Sequence, residues 1–158
     1  MEICRADRQH IPGMLELLKQ VGSVHHDIRP DLFRAGAQKY DARELEEILR
    51  DPLLPIFVAV ENSFVAGYCF CQDREYRNST VMTDRRELYI DDLCVDENRR
   101  GQKIASALYH YVCDYAARQG VSHITLNVWC GNAGAMAFYE SMGMRPRSIT
   151  METNLEEN

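Results

Sequence analysis

The apolar positions of this chain follow two periods, and the switches between them mark its elements. Residues 2–6 alternate enough for a first strand, with Asp7 placed to cap a helix after it. "IPGMLELLKQV" then sets Ile11, Met14, Leu15, Leu18 and Val21 on one helical face. The period breaks over "GSVHHDIRPDLFRAGAQKYD", which holds Pro30 and two glycines and reads as a long connection with, at most, a short helical piece. "ARELEEILRD" is a short second helix stopped by Pro52. Three strands come next, "PIFVAVE", "FVAGYCFCQD" and "RELYIDDLCVDE", rich in β-branched and aromatic residues. "ENSF" is a tight hairpin between the first two, and "REYRNSTVMTDRR" a polar, exposed link before the third. A third helix runs from about Gly101 to Arg118, with Ile104, Leu108, Tyr111, Val112 and Tyr115 as its core stripe and Gly120 as its stop. "SHITLNVW" is a strand and "NAGAMAFYESMG" a helix with Asn132 as N-cap and Gly143 as stop. "RPRSITMETNL" supplies a last strand. No repeat or linker interrupts the pattern, so one mixed α/β domain over residues 1–158 is expected.

Composition narrows the function classes. A chain of 158 residues that is 46% hydrophobic and 27% charged can bury a single core, which excludes wholesale disorder. No apolar run approaches the roughly 20 residues of a membrane span, and "MEICRADRQH" has no basic segment leading into an apolar one. The expected location is the cytoplasm, with no membrane partner. A net charge of −6 argues against a nucleic-acid partner and is compatible with an amine substrate. The six cysteines form no C-x-x-C pair and sit mostly in apolar segments, which reads as buried reduced thiols. Cys69 and Cys71 share one strand face, a poor geometry for an unstrained bridge. His25, His26 and Asp27 lack a third ligand at helical spacing, so no metal is expected.

Against that acidic background, "VDENRRGQKIASAL" gathers Arg99, Arg100 and Lys103 where a strand feeds a helix. A helix start is already electropositive, so added cations there suit an anion docked on its free N–H groups. Gly101 allows close backbone approach. The residues alone leave a phosphate site and a solvated basic turn both open. G-x-G-x-x-G and the P-loop pattern are absent, which disfavours the commonest nucleotide folds. Further on, Asn132 and Tyr139 lie seven residues apart on nearly one helical face. Taken alone, Tyr139 would be a packing tyrosine.

Together, "LYIDDLCVDENRRGQKIASALYHYV" and "ITLNVWCGNAGAMAFYESMGMRPRS" resemble the GNAT superfamily of acyl-CoA-dependent N-acetyltransferases, strongly over about residues 85–150. The family pattern Gln/Arg-x-x-Gly-x-Gly/Ala reads here Arg100, Gly101, Gln102, Lys103, Ile104, Ala105, with Lys103 where the family usually has glycine. The pattern N-x-x-A-x-x-F-Y-x-x-x-G is met in full at Asn132, Ala135, Phe138, Tyr139 and Gly143. The resemblance implies a mixed, mostly antiparallel sheet flanked by about four helices and splayed at its fourth and fifth strands. It implies acetyl-CoA as cosubstrate, with residues 100–105 on the pyrophosphate and the backbone of Leu93 and Val95, with Cys94 between, along the pantetheine arm. A backbone N–H near Leu93 or Cys94 would polarise the thioester carbonyl. Cys94 is near the cofactor by position and no nucleophile is needed.

In this reading an amine attacks directly in a ternary complex, Tyr139 protonates the leaving thiolate and Asn132 orients the cofactor. Asp91 is the preferred base, because a free alkylamine is mostly protonated at neutral pH. Strand alternation puts Asp91 and Asp92 on opposite faces, Asp91 with Leu93 and Val95, and Glu87 at the same parity is the next candidate. Either aspartate could instead bind a cationic substrate or cap backbone. His26, Asp31 and Phe33 would line the acceptor pocket. The acceptor is a small-molecule or peptide amine. Homodimers are common in proteins of this shape, so a second copy is a candidate partner. The competing readings are a non-catalytic acyl-CoA sensor and, more remotely, a nucleotide-binding regulator using the same anion site.

Overall fold

A computed structural model describes residues 1–156, which fall into two compact units, Met1–Asn127 and the residues from Val128 onward. In the first, five strands lie in the order β1 (Glu2–Arg5), β2 (Ile56–Glu61), β3 (Phe64–Tyr76), β4 (Arg85–Val95) and β5 (His123–Leu126). The first three pairings are antiparallel and β4–β5 is parallel. The parallel step follows from chain order, since a helix must carry the chain back across the sheet between β4 and β5. Helices α1 (Ile11–Ile28) and α2 (Ala42–Arg50) come before β2, α3 (Ile104–Arg118) joins β4 to β5, and α4 (Ala133–Ser141) belongs to the second unit. This is the mixed, mostly antiparallel sheet, with four helices among the described residues, that the family resemblance implies.

Burial on both sheet faces sets the layers. Met14, Leu17, Leu18 and Leu45 of α1 and α2 pack with Val58, Tyr68 and Phe70 in one core. Phe57 projects the other way, tilted against Tyr111 and Tyr115 of α3 at ring separations of 5.4 and 4.9 Å. Asp41 and Glu44 form a reciprocal cap on α2. Asn62 and Ser63, both at positive φ, make the β2–β3 hairpin read from "ENSF".

Four elements differ from the sequence reading, one of them β5, which stops at Leu126 where "SHITLNVW" predicts a strand to Trp129. Helix α1 does not end at Val21 but continues through "GSVHHDI" to Ile28, so the connection shrinks to residues 29–41. Gly22 is no break there: a Cβ at that position would meet the Ala37 carbonyl oxygen at 2.5 Å, so the glycine lets the connection fold back onto the helix. Helix α3 starts at Ile104 rather than Gly101. The last strand does not form: residues 144–156 carry no strand, and Ile149, Met151 and Leu155 are 76, 84 and 81% exposed. Alternation makes a strand only where a neighbouring backbone completes its hydrogen bonds. No helix of the described residues is long and apolar enough to cross a membrane.

Candidate active site

Strand β4 organises the site. Its ladder with β5 closes at Ile90–Leu126, while β4 continues alone on that edge to Val95. Its other edge stays paired to β3 through Asp92–Phe70, Leu93–Cys69, Cys94–Tyr68 and Val95–Gly67. The Asp96 N–H donates to Ala66 O at 3.0 Å. Backbone groups alternate direction along an antiparallel strand, so Cys94 also faces β3 while the N–H groups of Leu93 and Val95 point to the open edge. Of the two amides near the expected thioester, only that of Leu93 faces outward.

The β3–β4 register skips one residue: Phe70 pairs with Asp92, but Cys71 pairs with Ile90. Asp91 is the extra residue of a β-bulge, and the bulge resets side-chain parity. The expectation that Asp91 and Asp92 face opposite sides, and that Asp91 sides with Leu93 and Val95, is therefore overturned. Asp92 accepts from Tyr68 Oη at 2.7 Å on the α1 face, and Asp91 reaches the 29–41 connection on that same face, where Lys39 Nζ lies 2.5 Å from its Oδ2. The side chains of Lys39 and Asp91 are 43 and 17% exposed. Tyr40 stacks on Phe70 at 5.7 Å and its ring centre is 5.4 Å from the Lys39 ammonium. Burial raises the Asp92 carboxyl above its ordinary range, against the Tyr68 hydrogen bond and the charges of Lys39 and His25. Burial disfavours the Lys39 ammonium, but the hydrogen bond and charge of Asp91 outweigh it and raise Lys39 above its usual value. Burial, then the Asp92 charge, pushes the Tyr68 hydroxyl well up, so it stays a donor.

At its far end β4 runs through a 3₁₀ turn at Glu97–Arg99, capped by Asp96 and pinned to α1 where Gln20 bonds Asp96 Oδ2 at 3.2 Å and the Glu97 N–H at 3.1 Å. Helix α3 then begins on Lys103, whose backbone is left-handed (φ 61°) and whose side chain makes no capping bond. Gly101 is also at positive φ, 77°. The N–H groups of Ile104, Ala105 and Ser106 have no capping partner among the described residues, an arrangement that suits an anion. Gln102 is exposed in the same turn. Arg99 does not join it: its guanidinium is held 2.7 Å from Glu61 and lies over the Phe64 ring. Among the described residues no ion pair engages Arg100 or Lys103, and both are exposed.

The remaining expected residues divide. Glu87 is buried, paired to Arg85 at 2.8 Å and within 3.5 Å of Thr125 Oγ1, so it is committed locally, four residues before Asp91. His26, Asp31 and Phe33 gather at the end of α1: His26 Nδ1 is 2.7 Å from Phe33 O, Phe33 stacks on His25, and Asp31 is held by Arg29 at 2.6 Å. His25 and His26 lie on the helix, not in a loop as the sequence suggests. In the second unit Asn132 caps α4, accepting from the Ala135 N–H at 3.0 Å, and Tyr139 packs edge-on against Phe138. Sequence reasoning missed Lys39, Tyr40 and Tyr68. Lys39 lay in an apparent connection, and Tyr68 in a run that reads only as core. Among the described residues no group of His, Cys, Asp and Glu could hold a metal ion.

The geometry and the comparisons with known proteins converge on one class. The model of the acetyltransferase (GNAT) family matches residues 22–144, and the chain belongs to that family. It is 32% identical over 87 residues to N-alpha-acetyltransferase 30 of Schizosaccharomyces pombe, a match spanning 55% of each, so it covers about half of that relative's length. It is 24% identical over 135 residues to the ribosomal protein bS18-alanine N-acetyltransferase of Escherichia coli, covering 85% of this chain and 80% of that one. Among solved structures, a mutant of the BH1408 protein from Bacillus halodurans superposes with a TM-score of 0.94 at 30% identity, over 98% of this chain and 99% of that one. A CoA-bound aminoglycoside N-acetyltransferase shares the fold at a TM-score of 0.70 and 16% identity, covering 97 and 99%.

Proposed function

We propose that residues 1–158 act as one catalytic domain that moves an acetyl group from acetyl-CoA to a primary amine by direct attack in a ternary complex. The observation that carries this reading is the continuity of two open backbone surfaces. The unpaired β4 edge, with the Leu93 and Val95 N–H groups outward, suits the amides of a pantetheine arm. It runs into the uncapped start of α3, where Gly101, Gln102, Ile104 and Ala105 with the cations of Arg100 and Lys103 suit a pyrophosphate.

On this reading the Leu93 N–H polarises the thioester carbonyl. Asp91 takes the proton from the incoming ammonium, Asp92 adds negative potential beside it, and His26, Asp31 and Phe33 border the acceptor. Tyr139 delivers a proton to the departing thiolate, on a helix whose start Asn132 fixes. Cys94 takes no covalent part: burial pushes its thiol up to about 12, which leaves almost no thiolate at neutral pH. The carboxylate pair selects a cationic acceptor.

Thiol release from acetyl-CoA, measured over a panel of alanine-leading peptides, lysine peptides, aminoglycosides and simple diamines, tests the proposal. Release that depends on one amine class is the expected result. Acetyl-CoA binding without release for any amine would favour the non-catalytic sensor.

A further inference from the structure

Lys39 holds its ammonium 2.5 Å from the carboxylate named above as base. Asp91 is the bulged residue, placed where β4 loses its β5 partner and two positions before the outward N–H of Leu93. Lys39 therefore occupies the place an acceptor ammonium needs, with the Tyr40 ring beside it. It sits between α1 and α2 in a segment without regular structure, and its side chain is partly open to solvent. The chain contains only two other lysines. Lys19 pairs with Glu16 on the exposed face of α1, and Lys103 stands at the uncapped start of α3.

We propose that Lys39 is an intramolecular acceptor, acetylated on Nζ by its own chain when no competing amine fills the site. This rests on the acetyl-CoA reading above. The step balances without any further reactant. Asp91 takes one proton from the Lys39 ammonium, and the freed nitrogen lone pair forms the N–C bond at the thioester carbonyl. The C–S bond breaks, and CoA leaves as the thiol with the second nitrogen proton. The product amide carries no charge, so the Lys39–Asp91 ion pair is gone and Asp91 faces the acceptor space alone. Modification would thus change the occupancy of the acceptor site as well as consume one acetyl group per chain.

The full chain is incubated with acetyl-CoA alone, its acetyl content followed by intact mass and its sites by peptide mapping, with ligand-induced melting shift recorded on the same sample. One acetyl group is expected on Lys39, formed with a first-order rate independent of chain concentration. Acetylation of Lys19, which lies away from the proposed acetyl-CoA site, is slower and reports the purely chemical background. Asp91→Asn should slow Lys39 by roughly 10²-fold or more, the scale of general-base assistance, and leave the Lys19 background unchanged. Lys39→Arg, which keeps the charge, should fold and take no enzymatic acetyl group. Lys39 reacting no faster than Lys19 while acetyl-CoA raises the melting temperature would overturn this proposal alone. A Lys39 rate proportional to chain concentration would overturn its intramolecular character. No melting shift and no acetylation would overturn it together with the acetyl-CoA reading.

Discussion

Tyr68 Oη donates to Asp92 Oδ2 at 2.7 Å, tying the middle of β3 to β4 one residue past the bulge. The bond gives a half-buried carboxylate a partner and holds β4 where the sheet opens. Loss of that donor leaves the carboxylate one hydrogen bond short, so Tyr68→Phe is expected to destabilise the fold by about 1–3 kcal/mol. Chemical denaturation at neutral pH measures it.

The same carboxyl sets a pH dependence. Asp92 is held above its ordinary value of 3.8, mainly by burial. The native chain keeps that proton where the unfolded chain has lost it, so this group's contribution to stability falls as pH rises from 3.8 through the raised native value. Asp92→Asn removes the titration while keeping an acceptor for Tyr68. The variant is expected to gain stability relative to the parent as pH rises through that window, read from paired denaturation curves.

The cysteines should differ sharply in reactivity. Cys69, Cys71 and Cys94 are buried, while Cys130 is exposed. Burial holds Cys94 at about 12, and the neighbouring Cys71 thiol, 3.7 Å away, together with burial raises Cys69 well above its usual range. Alkylation of the native chain at mildly basic pH is expected to label Cys130 first and spare the buried three until denaturant is added. Peptide mapping gives the order.

Lys103 carries a left-handed backbone at a position where the family usually has glycine. Replacing it with glycine should relieve about 1 kcal/mol of strain and raise the melting temperature of the free protein by a few degrees. The same change deletes a cation from the proposed pyrophosphate site, so acetyl-CoA should bind more weakly at low ionic strength, with the difference shrinking as salt rises. Melting curves and binding titrations at two salt concentrations separate the two effects.

Tyr139→Phe should lower kcat for the preferred amine by roughly 10²-fold, the lower end of acid–base contributions, with little change in the KM for acetyl-CoA. Steady-state kinetics over a range of pH reads it, and an unchanged kcat at every pH would remove Tyr139 from the role of acid.

Much of this architecture is readable from local pattern. Strands β2 to β4 announce themselves by apolar and β-branched runs, α2 by its stop at Pro52, and α4 by its cap and stop. The features that shape the acidic site are not local. A one-residue bulge at Asp91 leaves no mark on the strand's own period, because it exists only in the register with β3. Gly22 looks like a helix stop until the Ala37 carbonyl is seen against it. Arg99 looks like a phosphate ligand until Glu61, 38 positions away, takes its charge. The alternation in "RPRSITMETNL" says which face a strand would present, but not whether any backbone pairs with it.

The most direct test of the central claim is the melting temperature of the chain with and without excess acetyl-CoA. At about 100 times Kd, binding adds about 2.7 kcal/mol. For a chain of this size that is an upward shift on the order of 5–10 °C, with none from ATP at the same concentration. No shift at millimolar acetyl-CoA would contradict the account, because the open β4 edge and the uncapped start of α3 would then not form an acyl-CoA site.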